Sequence, residues 1–581
     1  MASAIHWAKP PAFLIAIAAV VGAVGIGLVA VGSQTIGVST DEPIHVRRLN
    51  HYLDSGYYVR NFEIDHTPRG EIPTGAYVYA PVTSLIQFQV NRALDYESLP
   101  HAGTNARNYA VRHAVIAAMA IATILAVGAI CWLLLGSWAW GVVGGAILAA
   151  MPVWTGHGMF NVKDTPVATG HTYLTLGLIA LALTKPTTRL RQLALGAGSL
   201  VAGTVLMLGT RPGMWPSVLA SLVVFAVVVV RAKPEWTKAH LVRVVATAGI
   251  ALAASYALLL AIYPRIFSTP FTTMKMSAFA SADYTCRREC PVIGRSYALL
   301  HLVTDLPLGL LALSAVGSAA AIVMVVVRRR RSIPLDCIAL VGSQAFALMA
   351  AAIIAHSHLY HGLRQLLFAL PALAVLAAIG LAVLLTRAST GLQRRVLAIG
   401  AAVALVLPTA VQVAMFPYQY TYINVAAEQV SDFGVQVEQD YYRTSFREYV
   451  RIGPNDVKVT CPFLRYGGTP RRYGTDCRTQ GAGTFSTYWR HRPAPDRPRD
   501  DEFYALMFGD RSTPHNCEPY REVRRWRNLE WAVMSQMFKC HPPTSAEIMA
   551  GRADIARNRA KAKLPPLHFK HRLQGQATPT S

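Results

Sequence analysis

Charge is scarce in this chain, and its scarcity argues against a water-soluble globular protein. Asp, Glu, Lys and Arg make up 15% of the 581 residues while hydrophobic residues make up 53%, a balance outside the soluble range. Acidic residues are the scarcer sign, 31 against 55 Lys plus Arg, for a formal net charge of +24. In a soluble chain such an excess would suggest nucleic acid. No Lys/Arg tract with interleaved aromatics occurs, so no nucleic-acid partner is expected. The cysteines contain no C-x-x-C pair and the histidines no H-x-x-x-H, which leaves a zinc motif without its usual spacing. Tandem repeats are missing, as are paired broken helices in two symmetric halves, against a secondary transporter. No small-x-small cleavage site precedes Asp41, so the apolar run from Phe13 to Val31 is read as a retained first helix rather than a signal peptide.

What the sequence has instead is long apolar runs. Stretches of about 17 or more largely uncharged residues, the length that spans a bilayer, begin at Phe13, Ala114, Trp138, Val167, Leu193, Met214, Val244, Tyr297, Cys337, Leu366 and Val396. The expected fold class is a polytopic α-helical membrane protein of about eleven transmembrane helices. Basic residues fall in alternate short connections: Lys185, Arg189 and Arg191; Arg231, Lys233, Lys238 and Arg243; Arg328 to Arg331; Arg387, Arg394 and Arg395. Because Lys and Arg accumulate on the cytoplasmic side, the N-terminus is placed in the cytoplasm of a plasma-membrane protein. The segments Ser33 to Arg112, Gly156 to Pro166, Pro264 to Arg295 and His356 to Gln365, and everything after Met415, then lie outside.

Cysteine usage agrees with that sidedness. Cys131 and Cys337 lie in or at apolar runs, whereas Cys286, Cys290, Cys461, Cys477, Cys517 and Cys540 lie in the segments placed outside. An even set there predicts disulfides, with zinc the alternative. The organisation expected is a membrane domain over residues 1–415 with a large first external loop, 33–112. A small disulfide-containing α/β domain follows over 416–552, its strands read at Val457 to Val459, Phe503 to Phe508 and Trp531 to Met534. The basic, proline-containing end from Ala553 onward is expected to be disordered.

Three polar motifs interrupt the apolar pattern on the external side. Asp41-Glu42 stands where the first helix emerges, followed by His45, and Ile44, Leu49, Tyr52 and Leu53 give the period of a helix lying along the interface. A carboxylate there is costly unless used. It is a candidate general base, and a helix-capping carboxylate is the structural alternative. The second motif, His157 to Pro166, holds Asn161, Lys163 and Asp164. Asp164 and Pro166 also read as a helix start, which leaves His157, Asn161 and Lys163 unexplained. Asp41, Asp164 and His157 or His45 offer oxygen and nitrogen ligands for a divalent cation, Mg, Mn or Zn. The third motif, Tyr360-His361-Gly362-Leu363-Arg364, brings an arginine to the head of an apolar helix, where it clamps phosphate or snorkels. Arg211 in Gly209 to Gly213 is similar.

With Asp41-Glu42 after the first helix, Asn161 to Pro166 after the third, Tyr360 to Gln365 before the tenth, and then Pro417 to Asn424 and Asp440 to Ser445, the chain resembles the GT-C membrane glycosyltransferases. That superfamily includes protein O-mannosyltransferases and lipid A aminoarabinose transferases, and the likeness is strongest to its bacterial phospholipid-carrier-dependent branch. It covers roughly Asp41 to Glu448. The resemblance implies an inverting glycosyltransferase that moves a sugar from a polyprenyl-phosphate donor to an external glycan, lipid or protein acceptor. It implies Asp41 as base with Glu42 assisting, and Asp164 as a second acid. Arg364 would hold the donor phosphate, joined by Lys163, Arg211 and His361, with His45, His157, Asn161 and Tyr360 lining the substrate. The chain departs from the family pattern at Gln365, where His is usual, and at Tyr442, where Trp is usual. A transporter or flippase for a lipid-linked sugar, and a non-catalytic scaffold of envelope assembly, are the competing readings.

Overall fold

A computed structural model describes residues 7–68, 71–97, 105–232, 236–282, 296–327, 332–355, 357, 359, 361–430, 440–450, 459–460, 503–509, 513–541 and 544–561. Among them, nine helices are long and apolar enough to cross a bilayer: Ala12–Thr35, Ala106–Leu135, Leu190–Leu208, Pro212–Ala232, Lys238–Ile262, Leu308–Val325, Ile333–Ile354, Ala369–Arg387 and Gly391–Met415. The remaining two of the eleven expected runs are also helical, Trp138–Ala149 and Asp164–Ala182. The first of these has 12 residues, about 18 Å, too short for a core of about 30 Å. The second carries buried Thr165, Thr169, His171, Thr172 and Thr175, and sits inside the bundle rather than against lipid. Small residues let it pack closely, since a Cβ on Gly203 would lie 2.3 Å from the Leu174 amide nitrogen. The run expected to start at Tyr297 is broken: Tyr297–Thr304 and Leu308–Ile322 are separate helices, divided at Pro307, which has no N–H to continue the ladder.

The connections sort to two ends. At one end the N-terminal Ala8 N–H donates to Thr386 Oγ1 (3.0 Å), Arg243 Nη2 to Thr188 O (3.2 Å), and Arg231 pairs with Asp336 (3.1 Å). These are the basic connections. At the other end lie the first loop with its helix Glu42–Ser55, the turn before Asp164, the turn before Ala369, and the C-terminal domain.

That domain is a four-stranded sheet in the order β1-β2-β4-β3, with β1 Val459–Thr460, β2 Phe503–Phe508, β3 Cys517–Arg527 and β4 Glu530–Cys540. β1 is parallel to β2 and the remaining pairs are antiparallel. A disulfide, Cys517–Cys540, ties the start of β3 to the end of β4, while Cys286, Cys290, Cys461 and Cys477 lie outside the described residues. β3 was not foreseen, because Arg521, Arg524, Arg525 and Arg527 hide its strand pattern; an edge strand with a wet face tolerates that many charges. The helix Ser545–Lys561 runs past the expected start of disorder at residue 553. Thr544 and Glu547 form a capping box for it, with Thr544 N–H donating to Glu547 Oε2 (2.8 Å) and Glu547 N–H to Thr544 Oγ1 (3.3 Å). The sheet docks directly on the bundle: Ile36, Met159 and Phe160 share one apolar cluster with Tyr418, Tyr442, Leu506 and Met534.

Candidate active site

The first acidic motif does not cap its helix. Asp41 occupies the N-cap position of Glu42–Ser55 with no side-chain hydrogen bond to that helix, so its carboxylate is free for another partner. That partner is Lys163, whose Nζ donates to Asp41 Oδ2 at 2.6 Å. Asp164 does not cap either. Asn161 does so, its Oδ1 accepting the Lys163 and Asp164 N–H groups (3.1 and 2.9 Å). With the backbone satisfied by Asn161, both Lys163 and Asp164 side chains turn to the site. Asn161 Nδ2 then donates to Asp164 Oδ2 (3.0 Å).

Arg364, in the turn Gly362–Leu366, joins the two acids. Its Nη1 lies 3.6 Å from Asp41 Oδ2 and its Nε 3.6 Å from Asp164 Oδ2, and His361 Nδ1 is 3.1 Å from Nη1. Arg211 closes the far side, with Nη2 3.0 Å from Asp164 Oδ1. His361 and Gly362 both have positive φ (58° and 64°). Asp305 holds that turn by accepting the Leu363 N–H at 3.0 Å. Arg364, Lys163 and Asp164 side chains are at most 5% exposed, whereas Asp41 keeps 23% and Arg211 20%. Asp41 is therefore the acid open to an incoming molecule. Burial works against its charge, but Lys163 and Arg364 outweigh burial and hold its carboxyl far below the usual carboxylate range.

Aromatic residues line the cluster. Tyr79, which the sequence did not single out, lies under three cations: Arg48, Arg211 and Lys163 stand 4.5, 5.5 and 5.6 Å from its ring centre. Burial alone would raise its phenol, yet Lys163, Arg211 and Arg48 lower it from the ordinary value. From the C-terminal side, Tyr441 stacks on His361 at 4.3 Å and Arg364 lies 5.2 Å over Tyr442. Tyr441 Oη is 3.2 Å from His157 Nε2, and Asn161 Nδ2 donates to Tyr442 Oη at 3.3 Å. The pair is presented between Asp440 and Arg443, both at positive φ. Asp440 fixes that turn, accepting from the Tyr420 and Ser445 hydroxyls and from the Thr444 and Ser445 N–H groups. Burial pushes its carboxyl up to about 6.

The other expected residues fall close by with different partners. His157 bridges Asn161 (Nδ1, 3.0 Å) and Tyr441, and burial first, then the Arg364 charge, lowers it to about 3 in spite of Asp164. It is a neutral ring. His45 contacts Tyr58 Oη (2.8 Å) and the Tyr79 ring edge; burial, then Arg48 and Lys163, push it well below its usual value. Glu42 is engaged away from Asp41, accepting the Ser39 N–H (2.7 Å) and lying 2.7 Å from His113 Nε2, whose Nδ1 reaches Ser33 O at 3.0 Å. Tyr360 lies outside the described residues. Asp41, Asp164 and His157 do not meet as a ligand set here: the Arg364 guanidinium lies between the carboxylates, and both His157 nitrogens are engaged. Among the described residues no group of three or more His, Cys, Asp or Glu side chains could hold a metal ion.

Glu42→Gln is expected to be nearly silent. A glutamine accepts the Ser39 N–H and donates to His113 Nε2, so every group keeps a partner. Glu42→Ala leaves two buried groups unmatched and should cost about 2–4 kcal/mol. Thermal unfolding of the purified variants measures the difference; a Gln variant as unstable as the Ala variant would contradict this pairing.

The fold is thus that of a polytopic helical membrane protein carrying a C-terminal α/β domain over a buried acid and base cluster at one end of the bundle. Two crystal structures of ArnT from Cupriavidus metallidurans are similar to it. The one bound to undecaprenyl phosphate has a TM-score of 0.47 and the apo form 0.43, each at 14% identity, covering 89% of this chain and 97% of that one. No protein-family model and no curated protein sequence matches the chain.

Proposed function

We propose that this protein is a GT-C-type glycosyltransferase that takes a sugar from a polyprenyl-phosphate donor. The observation that carries the reading is the charge of the cluster. Two carboxylates, Asp41 and Asp164, face three cations, Lys163, Arg364 and Arg211, with neutral His157 adding nothing. Among the described residues the cations of the cluster outnumber its carboxylates by one, and Arg48 beside Tyr79 adds a further positive charge. A positive excess in a largely water-excluded cluster favours an anion, and a phosphodiester at headgroup depth supplies one.

The same charges explain how so acidic a group serves as a base. With the site empty, Lys163 and Arg364 hold Asp41 as an ion pair, and it is a poor proton acceptor. Donor phosphate competes for those two cations, and Asp41 becomes more basic as they turn to it. Asp41 then takes the acceptor hydroxyl proton while the acceptor oxygen attacks the anomeric carbon opposite the phosphate. The bond to phosphate breaks with inversion, and polyprenyl phosphate leaves against Arg364, Lys163 and Arg211. The site end faces the extracytoplasmic side in this reading, with the N-terminus inside. A divalent ion would need to displace Arg364 from between the acids, and no step is assigned to one.

The test is the purified chain in bilayers with a panel of labelled polyprenyl-phosphate sugars, with and without chelator. The expected result is transfer from one of them with equimolar release of polyprenyl phosphate and an inverted anomeric centre. Movement of the donor across vesicles without transfer would replace this reading with the flippase, and chelator-sensitive transfer would bring a metal into the site.

A further inference from the structure

The β3–β4 hairpin carries an exposed apolar tip that the site does not use. Trp526 and Trp531 are cross-strand partners with ring centres 5.6 Å apart, 40% and 59% exposed, and Leu529 in the turn between them is 63% exposed. Isolated apolar residues on a surface need no account, but two indoles and a leucine on one tip do.

Its height relative to the helices supplies the account. Asn528, in the same turn, donates to Ile423 O at 2.8 Å. The next residue, Asn424, is fixed at the head of the Leu308–Ile322 helix, its N–H donating to Thr304 O (2.7 Å) and its Nδ2 to Leu306 O (3.0 Å). That head packs well inside the last span, because a Cβ on Gly309 would lie 2.7 Å from Ala404 Cβ. Ala404 precedes the helix end at Met415 by about eleven residues, or about 16 Å along the axis. Farther up the hairpin, Arg525 Nε donates to Phe416 O at 2.8 Å, just past that helix end. The hairpin therefore packs beside the end of the last helix with its tip by the head of the Leu308–Ile322 helix. The outward apolar side chains of those two helices, Leu308 on one and Val403, Val406 and Leu407 on the other, are 41%, 48%, 45% and 61% exposed. On a membrane-spanning helix those side chains face lipid.

We infer that the tip of the β3–β4 hairpin, Trp526, Leu529 and Trp531, is a membrane anchor that sits in the headgroup–acyl boundary of the bilayer around the bundle. Indole rings suit that depth, with an apolar body and one N–H donor. Exposed Arg521 and Arg524 on the same strand stand farther from the tip, where headgroup phosphates lie. The anchor would hold the C-terminal domain down, and so hold Tyr441 and Tyr442 over the cluster. It rests on the membrane reading of the fold alone and stands whether or not the protein transfers a sugar.

The test is tryptophan fluorescence of the full chain in phosphatidylcholine nanodiscs, with acyl-brominated lipid as one quencher and aqueous iodide as the other. The chain has ten tryptophans, so W526F/W531F should remove roughly a fifth of the emission if all ten emit equally. That lost part should be quenched by brominated lipid and spared by iodide, in addition to the lipid-quenched emission of the exposed Trp132 and Trp138, which both samples keep. L529W in the double variant should restore a lipid-quenched component, which keeps the test independent of any effect of the two Phe substitutions on folding. Emission at 526, 529 and 531 that iodide quenches and brominated lipid does not would overturn the anchor, and would leave the patch to a protein partner or a second copy.

Discussion

Asp41→Asn is expected to lower sugar transfer by about 10²–10⁴-fold in turnover, the range for a lost general base, with no loss of donor affinity and a gain to the extent that the phosphate no longer competes with a carboxylate for Lys163 and Arg364. Asparagine keeps the size and one acceptor oxygen but cannot take the acceptor proton. It also removes one charge from the Lys163 and Arg364 pairing, so some stability goes with it. A fully buried pair broken on one side costs about 3–5 kcal/mol; Asp41 is 23% exposed, and solvent should reduce the cost to about 1–2 kcal/mol. Thermal unfolding separates this loss from the loss of turnover. The sign of the pH dependence gives a further check. Lys163 and Arg364 hold the Asp41 carboxyl far below the ordinary range. Its contribution to stability is therefore present above the ordinary carboxylate pKa and is lost only as the pH falls well below it. No loss assignable to Asp41 should occur between pH 5 and 8. A purified Asn variant within tenfold of the wild type would remove Asp41 from the chemistry.

Arg364→Ala should act on donor binding first. The guanidinium lies 3.6 Å from each of the two acids, and it lies over the face of Tyr442. Removing one member of a buried charge network costs about 2–5 kcal/mol, which is a loss of roughly 30- to 5,000-fold in donor affinity. Binding of polyprenyl phosphate to the purified protein measures it. Arg364→Lys keeps the charge and loses the planar fork, so it should recover part of the affinity but not all. The Ala variant also takes one of two cations from Asp41. Its carboxyl must then rise toward the ordinary value, and activity should fall off at a higher pH on the acid side than in the wild type. Unchanged donor affinity in both variants would place the phosphate elsewhere.

The membrane architecture and most of the cluster were legible in the sequence, for a common reason. Ionised groups are rare in and beside a bilayer, so Asp41, Lys163, Asp164, Arg211 and Arg364 stand out against apolar runs. Helical parity then puts them at one end without knowledge of any contact. Tyr79 escaped notice because an aromatic in an irregular loop carries no period, and nothing along the Glu42–Ser55 helix said that Arg48 would face its ring. Tyr441 and Tyr442 were visible only as part of a resembling segment, with nothing to say that they reach Arg364. Adjacency in sequence did not reveal where Glu42 points: on a helix, consecutive residues point about 100° apart, and Glu42 turns to His113 while Asp41 turns to Lys163.

By itself the sequence determined that this is a many-helix membrane protein with its acids and their cations on one side, because hydropathy and charge are properties of residue types in order along the chain. Tertiary structure alone decided that Asp41 caps nothing and is the open acid, that Arg364 spans both carboxylates, and that a C-terminal turn held by Asp440 lays two tyrosines over them. Those facts depend on distances of a few ångströms between segments up to 400 residues apart, and Coulomb and hydrogen-bond energies are set by such distances rather than by composition.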